Sequence, residues 1–130
     1  MDYVRISLMT PRAGQSHEAT RLLSQIIALC SQQRGFRGGM IVGGRPGAGR
    51  VIGRMTVWDD RASADRVSGT DHMLALRAQL MQLVDADSHT EYALDAVTLS
   101  AEPGGSPALT PSEAVRIAEG FVREPRRIAS

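Results

Sequence analysis

Lysine and asparagine are absent from this 130-residue chain, and all 15 of its basic residues are arginine. A GC-rich genome is the simplest cause, so the arginine excess alone points to no ligand. A single cysteine, Cys30, excludes an internal disulfide and a multi-cysteine metal site. Aromatic residues make up only 4% of the chain, so a core of Leu, Val, Ile, Ala and Met is expected. With a formal charge of +1 there is no overall electrostatic footprint for nucleic acid. No apolar run approaches the ~20 residues of a membrane span, and no charged leader followed by an apolar run opens the chain. These absences lead to the expectation of a soluble, cytoplasmic protein with no nucleic-acid and no membrane partner, built as one domain with an appendage.

What is present is a definite order of hydrophobic periods. Tyr3–Met9 alternates, with Val4, Ile6 and Leu8 pointing one way and Tyr3, Arg5, Ser7 and Met9 the other. Ser16 is placed to cap a helix whose apolar positions Leu22, Leu23, Ile26, Ile27, Leu29 and Cys30 recur at helical spacing, with Arg34-Gly35 at its end. Met40–Val42 and Val51–Trp58 read as two strands joined by the glycine-rich loop Gly43–Gly49. Asp59-Asp60 then opens a helical pattern that runs to about Val84 in two pieces, broken at Ser68–Asp71, with Asp71 as the expected second cap. A loop over Asp85–Thr90 and a strand over Glu91–Leu99 complete residues 1–99. Residues 100–110 read as a Pro/Gly/Ser-rich linker, 111–124 as a helix opened by Thr110-Pro111-Ser112-Glu113, and 125–130 as a tail.

A β-α-β-β-α-β chain is expected to fold as an α+β, ferredoxin-like antiparallel four-stranded sheet with its helices on one face. The strands are apolar on both faces. One helical layer therefore leaves an apolar patch uncovered, and the economical cover is the same face of a second copy. A homodimer with facing sheets is the expected assembly. The layout, the strand end Met55-Thr56-Val57-Trp58-Asp59-Asp60 and the helix start Ala62-Ser63-Ala64-Asp65-Arg66 resemble the antibiotic-biosynthesis-monooxygenase family of dimeric α+β barrels. The resemblance covers residues 1–99 and implies a pocket within each subunit, between sheet and helices. Its members include cofactor-independent oxygenases of quinols and anthrones and haem-degrading enzymes. The haem-degrading pattern is met by Ser7, Val67 and Arg77 where it wants Asn, Trp and His, which disfavours haem and leaves no cofactor implied. The quinol and anthrone pattern is met better by Trp58 and, four residues earlier on the same strand face, by Arg54 in place of Asn.

The resemblance thus implies a pocket in which His72 acts as base and Arg54 or Arg77 steadies developing negative charge, with Arg54 paired with His72 as the catalytic candidates. Trp58, Arg77, Tyr92 and Ser7 are the candidates for holding a small aromatic ligand. Plainer readings stand beside these. Trp58 is a core or pocket-wall residue, Arg54 a strand-face cation paired with a carboxylate, His72 a solvent-facing residue at a helix start, Tyr3 and Tyr92 half-buried strand tyrosines. Cys30, on an apolar stripe, reads as a buried structural thiol. Asp85, Asp87, His89 and Glu91 alternate but lack the glycine of a calcium loop and a second donor cluster, so they read as a solvated acidic loop and no metal site is expected. The glycine-rich hairpin joins two strands, so it is no phosphate cradle, and no nucleophile elbow supports hydrolase chemistry. Arg123, Arg126 and Arg127 read as a solvated helix end. Two functions follow as expectations: a cofactor-independent monooxygenase-like protein acting on a quinol- or anthrone-type substrate, or a non-enzymatic small-molecule-binding or stress-associated protein of the same fold.

Overall fold

A computed structural model describes residues 1–44 and 50–97, together with the backbone of 126–127. Four strands, β1 (Asp2–Met9), β2 (Phe36–Gly43), β3 (Ile52–Trp58) and β4 (Thr90–Ala96), form an antiparallel sheet in the order β2-β3-β1-β4. Three helices, α1 (Ser16–Ser31), α2 (Arg61–Ser68) and α3 (Asp71–Met81), cover one face of it. This is the expected ferredoxin-like α+β fold, with the first and last of the four strands as central neighbours. A two-residue strand, β5 (Arg126–Arg127), pairs with Tyr92 and Ala93 at the β4 edge, where a solvated helix end was expected. The linker and tail helix expected over 100–124, and most of the glycine-rich hairpin loop, lie outside the described residues.

Local chemistry explains where the elements start and stop. Asp60 caps α2 by accepting the Ser63 N–H at 2.8 Å, and Thr70, rather than Asp71, caps α3 by accepting from Met73 N. At α1, Gln15 occupies the cap position without a side-chain bond, and Ser16 is already helical. Strand β2 begins four residues before the apolar run Met40–Val42, passing through a bulge at Phe36/Gly38. Gly38-Gly39 has low strand propensity, so pairing to β3 decides the matter and local preference does not. Gly35, at φ +89°, turns the chain out of α1, and an added Cβ would lie 2.2 Å from Ser63 Oγ.

The core lies between the sheet and the helices. Leu22, Leu23, Ile26 and Cys30 of α1, Val67 of α2 and Met73, Leu76 and Leu80 of α3 pack against Met9 and Trp58. Each fully buried aliphatic side chain contributes about 1.5–3 kcal/mol. Trp58 is 1% exposed, its ring meets Phe36 edge-to-face at 5.4 Å, and its Nε1–H donates to Thr56 Oγ1 at 2.9 Å.

Strand pairing sorts the remaining side chains by face. One row, Met40–Met55–Ile6–Tyr92, and a second, Gly38–Val57–Val4–Leu94, lie on the side that no described helix covers. The row Ile41–Arg54–Ser7–Glu91 lies on the helical side, together with Thr56 and Arg5.

Candidate functional site

Beneath the helices, the centre of the sheet is charged where an apolar layer would be ordinary. Ser7 of β1 is flanked by Arg54 on β3 and Glu91 on β4, and Arg5 lies one position along the same face of β1. Arg77 reaches down from α3, and His89 arrives from the turn just before β4. The Glu91 side chain is only 4% exposed. Its Oε1 accepts from Arg77 Nη2 at 2.8 Å and lies 3.3 Å from His89 Nε2, and its Oε2 lies 3.8 Å from Arg5 Nη2. Arg5 also donates to Ser68 Oγ of α2 at 2.7 Å and approaches Asp65 at 3.8 Å, which ties the second helix to the cluster.

Burial raises the Glu91 pKa. The His89 hydrogen bond and the nearby Arg77 and Arg54 charges oppose it and win, so the carboxyl sits below its ordinary value. Arg54 is the opposite case. Desolvation lowers its pKa despite the attraction of Glu91, and it makes no hydrogen bond or close ion pair among the described residues. The Cys30 thiol, at the end of α1, is pushed up by burial, against a smaller pull from Arg54 and Arg5. It is a buried, inert thiol, as the sequence suggested.

Two buried polar atoms of the cluster have no hydrogen-bond partner: His89 Nδ1 and Glu91 Oε2. Ser7 Oγ lies 3.0 Å from His89 Nε2, the same nitrogen that faces Glu91. A nucleophile-activating relay needs serine and carboxylate on opposite nitrogens of the imidazole, so this geometry is no such relay. A small pocket enclosing about 10 Å3, room for one water, and opening to solvent is lined by Arg5, Ser7, Arg54 and Glu91, with Ile6 and Tyr92.

The candidates read from sequence separate accordingly. Arg54, Arg77 and Ser7 belong to the cluster. Trp58 is fully buried, with its one polar group satisfied by Thr56 on the cluster's face of the sheet. Tyr92 lines the pocket, but strand alternation sends its ring to the open face beside Ile6. His72 is exposed in the first turn of α3. The buried imidazole is His89. With Glu91 it was read as part of a solvated acidic loop, and the structure corrects that: both side chains are 5% exposed or less. Asp85 and Asp87 of the same run are exposed. Arg5 carried no functional reading either. The parity of Arg5 with Ser7 was visible, but only the strand register brings Glu91 opposite Ser7. Among the described residues no cluster of His, Cys, Asp and Glu is arranged to hold a metal ion, and no helix is long and apolar enough to cross a membrane.

Known structures share this arrangement of strands and helices. SnoaB, a cofactor-independent oxygenase from Streptomyces nogalater, superposes with a TM-score of 0.66 at 17% identity, covering 78% of this chain and 98% of that one. The chain has that oxygenase's fold. A putative antibiotic biosynthesis monooxygenase from Nitrosomonas europaea matches with a TM-score of 0.66 at 12% identity, over 74% of this chain and 90% of the other. Rv0793 from Mycobacterium tuberculosis matches with a TM-score of 0.63 at 20% identity, over 78% and 100%. No protein-family model and no curated protein matches the sequence. The expected kinship with antibiotic-biosynthesis-monooxygenase-like proteins therefore stands at the level of fold.

Proposed function

We propose that this chain is a cofactor-independent, monooxygenase-like protein that takes a small aromatic substrate of quinol or anthrone type into the pocket between sheet and helices. The observation that carries the reading is that Arg54 and Glu91 Oε2, on either side of Ser7, make no hydrogen bond among the described residues. A carboxylate with a free oxygen is a base, and an unclaimed guanidinium steadies an oxyanion. Because its neighbours keep Glu91 ionised, it is a weak base, and its substrate must be acidic. An anthrone meets that demand, since its carbanion is delocalised onto oxygen.

One methylene proton passes to Glu91, and the carbanion gives its electrons to dioxygen as a C–O bond forms, leaving a peroxide that takes up a proton from solvent. Loss of the carbon's second hydrogen as a proton to solvent breaks the O–O bond, leaving a carbonyl on the substrate, and the departing hydroxide takes the proton from Glu91 and leaves as water. Arg54 faces the charge that develops on the substrate oxygen, while Arg77 and His89 hold the carboxylate in place. The apolar face that no described helix covers supports a homodimer, in which a second copy covers the row through Met40, Met55 and Ile6.

Oxygen uptake by the metal-free protein with a panel of quinols and anthrones tests this. Turnover above background that falls in Glu91→Gln and Arg54→Met is the expected result. Turnover unchanged by both substitutions would overturn the assignment of the site.

A further inference from the structure

Within the cluster, two groups in need of partners share one small space. The Glu91 side chain is 4% exposed, and its Oε2 has no donor among the described residues. Arg5 Nη2, at 3.8 Å, is too far away to supply one. Arg54, across Ser7 on β3, makes no hydrogen bond among the described residues either. Both side chains line the same pocket, with Ser7 and Arg5, and it encloses about 10 Å3 before it opens to solvent. That is the space one water needs, and the wall offers the polar partners that hold one.

The chemistry of the two groups selects the occupant. Oε2 only accepts, and a guanidinium only donates. A halide would satisfy Arg54 but set a second negative charge against the carboxylate, and a metal cation would do the reverse. Water is neutral and does both. The charge count asks for nothing more: Arg5, Arg54 and Arg77 face Glu91 and Asp65, and half-buried Arg54 lies in reach of solvent through the opening.

We propose that one ordered water belongs to this site, accepting from Arg54 and donating to Glu91 Oε2, and that it caps the carboxylate. The assignment of Glu91 as base underlies the consequence. The groups that face Glu91 are Arg5 of β1, Arg54 of β3, Arg77 of α3 and His89 before β4, with Asp65 of α2 behind Arg5. A donor on Oε2 adds to their hold on the ionised form. A substrate that displaces the water removes that donor, so Glu91 becomes a stronger base as its free oxygen meets the proton it takes.

A crystal structure of the full-length protein soaked in sodium bromide tests the occupant. A light peak about 2.7–3.2 Å from Oε2 and from an Arg54 nitrogen, with no anomalous signal, is expected. Bromide at that position, or no peak in a map that shows other ordered waters, overturns the proposal. The cap is tested by following the Glu91 carboxyl carbon by NMR against pH. Ser7→Thr keeps the hydroxyl and adds a methyl of about a water's size at the pocket wall. It is expected to expel the water and raise the Glu91 pKa by about one unit, as the loss of one hydrogen bond to a charged group does. Ser7→Ala leaves room for the water and is expected to cause no rise. An equal rise in both variants overturns the cap, as does no rise in a Ser7→Thr protein whose map has lost the peak. The wild-type map decides the occupant even where a variant does not fold. Oxygen uptake is read separately. No turnover on any quinol or anthrone removes the base assignment and leaves the water and its effect on Glu91 standing. Turnover in a protein whose map lacks the peak does the reverse.

Discussion

The two faces of this sheet are inverted relative to an ordinary globular layer. The face under the helices, where apolar side chains belong, holds Arg5, Ser7, Arg54 and Glu91, while the face that no described helix covers carries Val4, Ile6, Met55 and Val57. Buried polar and charged groups and a half-buried apolar face each cost stability, so each needs a reason. The rim of the helical layer shows how the fold tolerates the charges. Trp58, Met9 and the apolar stripes of α1 and α3 form a dry core around the cluster, and Arg77 and His89 pair with Glu91 inside it. On the proposed function, one face receives a ligand and the other a second copy of the chain.

The comparison is broken most severely at Glu91. Glu91→Ala leaves the arginines without their carboxylate and is expected to destabilise by about 3 kcal/mol, the cost of orphaning buried charge, read by urea denaturation. Little change would mean that solvent already screens the cluster. Gly53→Ala follows. Its Cβ would lie 1.9 Å from Ser7 O, so β3 cannot keep its register against β1, and a loss of about 1–3 kcal/mol is expected. A melting temperature equal to wild type would show that the strands part freely there.

The open face is tested by Ile6→Lys. Sedimentation is expected to show a shift from dimer to monomer with an unchanged circular dichroism spectrum. A wild-type protein that sediments as a monomer would remove the need for a covering copy. Acid titration sharpens the buried side. The Glu91 pKa is depressed from 4.5 in the fold, so its contribution to stability is complete above that value and is lost as pH falls through the folded-state pKa. Glu91→Gln is expected to flatten the acid limb of stability against pH, and an unchanged limb would assign it to other carboxylates. The smallest effect is expected at His72→Ala, which alters an exposed side chain and should leave stability and ligand binding as they were.

Much of the fold was legible because it depends on local period. The strand Tyr3–Met9, the break at Ser68–Asp71 and the apolar stripe of α1 all announce themselves within a few residues. The start of β2 did not, because Gly38-Gly39 carries no strand preference and gains its structure from pairing with Thr56 and Val57. The site was half legible for the same reason. Arg54 and Ser7 stood out on alternating strands, and Arg77 on a helix. Glu91 and His89 did not, since an acidic, alternating stretch looks the same in a solvated loop as at a buried strand start. Only the register Ser7↔Glu91 distinguishes them, and register is a long-range property. His72 stood as the candidate base because an imidazole titrates near neutral pH, yet its position in the first turn of α3 leaves it exposed.

The central claim is that the charges under the helices are kept for a ligand and not for the fold, and Arg54 decides it. The most direct measurement is the unfolding free energy of Arg54→Met in the absence of ligand. A cation kept for binding is a burden on the empty protein, so the variant is expected to be at least as stable as wild type. A loss of about 2 kcal/mol or more, of the size expected when a buried structural pairing is broken, would contradict the account.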